Sequence, residues 1–244
     1  MPKLKPAPKQ PKKEQEYKLS PSSLNLMQEC ERCFWLKLVK KISRPDTAFP
    51  SLPAGMDKIL KQHFDKFAGR GELPPEIREY GLGNGYKLFN DKAKLDIWRN
   101  ALKGIQYKDK TSGILLRGAV DNLLEKGKKL IVLDYKTRGY PLKEDTHEHY
   151  QLQMDVYNFL LRKNGYQTED YSYLLFYYPR EVAESGEVLF DTKLIKMPTS
   201  AERAGKIFER AMGIVNMPTS PKPSNECKFC SYVSKRAVKS ESGE

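Results

Sequence analysis

The stretch "GAVDNLLEKGKKLIVLDYK", residues 118 to 136, decides how this sequence is read. Two apolar runs flank a polar turn at Glu125-Lys126-Gly127-Lys128-Lys129, the pattern of a β-hairpin. Each run nevertheless carries a carboxylate, Asp121 in the first and Asp134 in the second, where a core strand should be apolar. In "KLIVLDYK" the residues Val132, Asp134 and Lys136 alternate and share one face of the strand, while Ile131, Leu133 and Tyr135 take the other. A two-residue turn at Gly127-Lys128, with Gly first as a type II′ turn requires, pairs Lys126 with Lys129 and therefore Asp121 with Asp134. A four-residue turn gives the same pairing; a three-residue loop breaks it. Opposed residues have Cβ atoms about 4.5–5.5 Å apart, so two like charges would repel unless a cation lies between them. Mg²⁺ or Mn²⁺ suits carboxylate oxygens. With Lys136 beside it, such an ion suits phosphodiester hydrolysis. The competing reading is a solvated hairpin face on which the two acids and the lysine merely pair.

Outward from the hairpin, the 244 residues allow one domain with extensions. "MPKLKPAPKQPKKEQEYK", residues 1 to 18, is rich in Pro and Lys and is expected to be a disordered basic tail. Residues 19 to 232 form the domain, and residues 233 to 244 a second disordered tail. The chain carries a net charge of +12, of which the first 18 residues supply +4. The remaining +8 implies a basic face on the folded part and an anionic partner, nucleic acid first. No apolar run approaches a membrane span and no secretory segment stands out, so the expected location is the cytoplasm.

Ser20 and Pro21 signal a helix start, and Leu24, Met27, Cys30 and Phe34 recur at helical spacing. Residues 41 to 53 read as a loop, "AGMDKILKQHFDKFAG" as a second helix, and residues 91 to 102 as a third. Strands are expected near 104–109, 113–124 and 129–136, then a helix over about 147–163, two strands within 170–197, and a helix over about 200–214. Helices before, between and after central strands predict an α/β fold with a central mixed β-sheet flanked by helices.

"RGAVDNLL", "IVLDYKT" and "HYQLQMDVYNFLL" together resemble the PD-(D/E)XK nuclease superfamily in its RecB-like branch, which shows G-x-x-D, then D/E-x-K, then Q-x-x-x-Y on the following helix. Here these are Gly118 to Asp121, Asp134 to Lys136, and Gln153 to Tyr157. The resemblance implies a restriction-endonuclease-like core and a metal-dependent DNA nuclease, exonuclease or structure-directed endonuclease, acting in repair, recombination or defence. It implies Asp121, Asp134 and the Tyr135 backbone carbonyl as ligands of Mg²⁺ or Mn²⁺, and Lys136 as the catalytic lysine. It matches His63, in "GMDKILKQHFDKF", to an upstream helix histidine that also contacts metal; the helix alone reads as placing that histidine at a core edge. Gln153 and Tyr157, four apart on one helix face, would reach a nucleotide together. Gln151 competes with Gln153 for that role, and the helix alone reads as amphipathic with Tyr157 reaching outward. No helicase motif is present, so any motor, like any repair complex, would be a separate chain. The alternative from another class is a non-catalytic nucleic-acid-binding module on the same fold.

Four cysteines come as Cys30-x₂-Cys33 and Cys227-x₂-Cys230, one pair near each end. In a reducing compartment such pairs are more often metal ligands than disulfides. One four-thiolate site, whether Zn²⁺ or an iron–sulfur cluster, would join the two segments. "SPSSLNLMQECERCFWL" and "NECKFCSY" resemble the segments of CRISPR-associated RecB-like and AddB-type nucleases that bind a 4Fe–4S cluster through one N-terminal and three C-terminal cysteines. This chain departs by supplying two and two. The resemblance favours 4Fe–4S, with structural Zn²⁺ as the alternative.

Overall fold

Residues 16–46, 48–83 and 85–241 are described by a computed structural model, with side chains up to residue 237. The first 15 residues of the expected basic tail lie outside it. Lys18, assigned to that tail from sequence, instead opens strand β1 (Lys18–Leu19), because Leu19 is fully buried and pairs with Leu116. Helix α1 (Pro21–Glu29) starts where its chemistry dictates. Ser20 and Ser23 form a reciprocal capping box, Ser23 N–H to Ser20 Oγ at 3.4 Å and Ser20 N–H to Ser23 Oγ at 2.8 Å. Helix α2 (Glu31–Trp35) runs into a π-helical turn over Leu36–Lys40.

Helix α3 (Ser51–Arg70) begins three residues before the sequence reading placed it and ends at Gly71, whose φ of +70° makes the left-handed cap. A short α4 (Pro75–Arg78) and strand β2 (Tyr86–Leu88) follow. Asp91 caps α5 (Lys92–Arg99), its side chain accepting from Lys94 N–H at 3.0 Å. Strand β3 (Ile105–Lys108) follows. The single strand expected over 113–124 is two strands, β4 (Leu115–Gly118) and β5 (Asn122–Lys126), which belong to different sheets. Strand β6 (Lys129–Thr137) completes the hairpin, and a 3₁₀ turn over Thr146–Tyr150 leads into α6 (Gln151–Lys163). Strands β7 (Tyr171–Val182) and β8 (Val188–Pro198), then helices α7 (Ala201–Val215) and α8 (Lys228–Glu241), finish the order. Residues 233 to 241, expected as a tail, continue α8; no Pro or Gly interrupts them.

The larger sheet has the order β2-β5-β6-β7-β8 and the smaller one β1-β4-β3. Strands β6 and β7 are parallel, joined by the α6 crossover, and the other neighbours in the larger sheet are antiparallel. This is the expected mixed α/β architecture. One core packs Leu123, Val132, Leu174 and Phe176 against α1, α6 and α7. The other packs Leu124, Ile131, Leu133 and Tyr135 against Leu60 and Phe64 of α3. The hairpin's alternation thus feeds a helical layer on each side of the sheet.

Helix α6 is the central element, and one of its charges is sealed inside. Asp155 is fully buried and accepts from Ser200 N–H at 2.8 Å, from Gln151 Nε2 at 3.0 Å, and from Arg203 Nε and Nη2 at 2.5 and 2.8 Å. It fixes the start of α7 against α6. Asp155→Ala leaves these donors unpaired and is expected to cost about 2–4 kcal/mol in urea unfolding, with the denaturant slope unchanged. A loss below about 0.5 kcal/mol would remove Asp155 as the link.

Candidate active site

Gly127 has φ +59° and Lys128 has no positive φ, the sign pattern of a type II′ turn. The register runs from Lys126 opposite Lys129 to Asn122 opposite Leu133. Asp121 is the next residue outward, one step past the last registered pair, and its charge acts on Asp134. It lies in the bend where the chain passes from β4 to β5, and α5 holds that bend. Val120 N–H donates to Trp98 O at 3.2 Å, and Arg99 Nε donates to Asp121 O at 2.7 Å while its Nη1 pairs with Asp65 at 2.8 Å. Across the hairpin, Tyr135 N–H donates to Asp121 Oδ2 at 3.1 Å. The two acids are therefore set by backbone register, one helix and one cross-strand bond.

Burial dominates their electrostatics. Asp134 is 1% exposed, and burial pushes its carboxyl up to about 7; the Lys136 ammonium pulls the other way and Asp121 adds to the rise. Lys136 Nζ lies directly against Asp134 Oδ2 and forms an ion pair with it. Burial works against the Lys136 charge, but Asp134 and Asp121 outweigh it and hold its pKa above the ordinary value. The ammonium also sits 4.8 Å from the centre of the Tyr150 ring. Lys61 Nζ, from α3, reaches Asp121 Oδ1 at 3.0 Å and Asp57 Oδ2 at 2.7 Å. A buried carboxyl with a raised pKa, beside a second carboxylate, fits a hard divalent cation.

The same burial carries a stability cost. The Asp134 carboxyl has an ordinary value of 3.8, so the folded, metal-free chain binds a proton there that the unfolded chain releases. Its contribution is neutral below about pH 4, turns unfavourable between about 4 and 7, and is fully unfavourable above. Asp134→Asn is therefore expected to stabilise the metal-free protein at pH 8, by on the order of 2 kcal/mol, and to do nothing at pH 4. Thermal unfolding in chelator at both values measures this; a variant less stable at pH 8 would contradict it.

Gln153 and Tyr157 do face each other, with Gln153 Nε2 donating to Tyr157 Oη at 2.7 Å. The tyrosine ring does not reach outward: it is 3% exposed and lies on Gly118. Gln151 is directed elsewhere, to Asp155 and to Pro198 O at 2.8 Å. His63 is not brought together with Asp121 and Asp134 among the described residues. Its Nε2 lies 2.8 Å from Glu76 Oε1, and its ring meets the edges of Phe64 and Phe67. From α3 it is Lys61 that reaches Asp121. The sequence reading did not single out Asp57, Lys61, Arg99 or Tyr150; only the four-residue spacing of Asp57 and Lys61 on a helix hinted at a pair.

Cys30, Cys33, Cys227 and Cys230 converge, their sulfurs all within 4.8 Å of one another. They join the α1–α2 junction to the start of α8, as the two x₂ spacings predict.

Among the described residues no helix is long and apolar enough to cross a membrane. No curated protein matches the chain. The solved structure described as "Crystal structure of SSO0001" is similar at 15% identity with a TM-score of 0.42, over 92% of this chain and 87% of that one. A sequence model of the PD-(D/E)XK nucleases matches residues 18–234, a span that holds the paired acids, the lysine and all four cysteines. The chain belongs to the PD-(D/E)XK nuclease superfamily.

Proposed function

We propose that this protein is a Mg²⁺- or Mn²⁺-dependent deoxyribonuclease of the RecB-like branch, cutting phosphodiester bonds as an exonuclease or structure-directed endonuclease. The observation that carries this is the buried Asp134 carboxyl, its pKa raised by burial, beside Asp121 and touched by the Lys136 ammonium. In this reading the Asp121 and Asp134 carboxylates and the Tyr135 carbonyl hold the cation. When bound, the cation polarises a phosphoryl oxygen and makes its water more acidic. Lys136 has a raised pKa and so stays charged at neutral pH. It serves as a fixed positive charge for the phosphate oxygens or the attacking water, not as a general base. Gln153, its amide nitrogen held by Tyr157, turns its carbonyl oxygen to the substrate; Tyr157 is a positioning residue.

The net charge of +12 supports DNA as the substrate. Repair, recombination and defence against foreign DNA in the cytoplasm all use such an activity. The reading as a non-catalytic nucleic-acid binder is disfavoured by the acid pair, which repels phosphate unless a cation covers it. The test is incubation of the protein with end-labelled single-stranded DNA, duplex DNA and RNA, each with Mg²⁺, Mn²⁺ or chelator. Cleavage of DNA only in the presence of a divalent cation is expected. Intact DNA under every condition would overturn the proposal.

A further inference from the structure

The geometry points to a single tetrahedral Zn²⁺ bound by Cys30, Cys33, Cys227 and Cys230, and not to a 4Fe–4S cluster. Cys30 and Cys230 sulfurs are 3.9 Å apart, Cys33 and Cys227 3.6 Å, and Cys33 and Cys230 3.6 Å. Sulfurs placed about 2.3 Å from one tetrahedral ion are separated by about 3.8 Å. A 4Fe–4S cube hangs each thiolate outward from its own iron, which spreads the four sulfurs to roughly 6 Å apart. No pair here exceeds 4.8 Å, so the space between the sulfurs suits one ion and not a cube. A disulfide is excluded as well, since it needs a sulfur–sulfur separation of about 2.05 Å.

The backbone explains why the four sulfurs converge so closely. Phe34 N–H donates to Cys30 O at 3.1 Å, and Ser231 N–H donates to Cys227 O at 3.0 Å. Each pair therefore spans the first turn of a helix, which turns both of its sulfurs the same way. The two turns meet, and the four sulfurs bound one small space. Arg44 closes one side, its Nη2 3.6 Å from Cys227 Sγ and its Nη1 2.5 Å from Glu29. Four thiolates around Zn²⁺ carry a net charge of −2, which this guanidinium partly offsets. Zinc has no redox chemistry. The site is then a staple holding the C-terminal helix to the first two, and oxygen does not destroy it as it would an iron–sulfur cluster.

The test uses the full chain, expressed with iron and zinc both supplied and purified without oxygen. About one zinc per chain, no acid-labile sulfide and no visible absorption are expected. Replacing the metal with Co²⁺ should give the intense visible bands of a tetrahedral tetrathiolate. Cys33→Ser and Cys230→Ser should each lose the zinc; where a variant fails to fold, the cobalt spectrum of the wild-type chain still decides. Iron and sulfide in equal amounts with a broad visible band would overturn the inference, as would a folded, metal-free protein. None of these readouts depends on cleavage of DNA, so the proposed nuclease activity and the zinc site stand or fall separately.

Discussion

Lys136→Ala is expected to lower DNA cleavage about 10³-fold while changing DNA affinity only a few-fold. Losing one fixed stabiliser of a developing negative charge costs about 10²–10³ in rate. Here the loss should reach the upper end, because the same ammonium is the cation nearest the buried Asp134 carboxylate. Without it, Asp134 holds its proton to a still higher pH and binds a divalent cation less readily. Affinity for DNA should survive, since many lysines and arginines contribute to it. Lys136→Arg should recover little, because a planar guanidinium does not fit where a compact ammonium lies between a carboxylate and the Tyr150 ring. Cleavage rates and DNA titrations on variants whose folding is verified by circular dichroism measure both arms. A loss smaller than about tenfold would deny Lys136 its role.

Gly118→Ala should cost about 2–3 kcal/mol and impair cleavage although no reacting group is touched. A Cβ at Gly118 would stand 2.8 Å from Cδ1 and Cε1 of Tyr157 and 3.0 Å from Leu160 Cδ1. The ring is buried and cannot swing away, and the strand cannot retreat. Gly104, with φ +62°, already packs so tightly on the Gly118 carbonyl that a Cβ there would strike it. The displacement must pass to Tyr157, and through its hydroxyl to Gln153, or into the bend carrying Asp121. Urea unfolding and cleavage rates, measured on one preparation, should fall together. Unchanged values for both would show that Gly118 is not the seat of Tyr157.

Much of the site was legible because short-range rules fix it. The two-residue turn at Gly127-Lys128 sets the register as far as Asn122 opposite Leu133, and period-2 alternation sets the faces, so the approach of Asp121 to the Asp134 strand was legible in the sequence. What local pattern could not supply comes from tertiary contacts. Residues 113 to 124 read as one strand, since nothing in Gly118-Ala119-Val120 announces a break. The bend exists because Trp98 O and Arg99 satisfy its backbone and Gly118 admits Tyr157. Helical periodicity places Asp57 and Lys61 on one side of α3, but not which side meets the end of the sheet. His63, matched by resemblance, faces Glu76 instead. The cysteine spacing foretold a shared site, while the choice of metal needed distances between sulfurs.

In the proposed reaction Asp121 and Asp134 together hold the divalent cation that phosphodiester cleavage requires. The most direct measurement is Mn²⁺ uptake by wild type and Asp134→Ala, followed through loss of the free-Mn²⁺ electron paramagnetic resonance signal, with cleavage of labelled DNA recorded in the same samples. The wild-type chain should take up Mn²⁺ and cleave as the site fills, and Asp134→Ala should do neither while remaining folded. Equal uptake and equal cleavage by the two proteins would contradict the account.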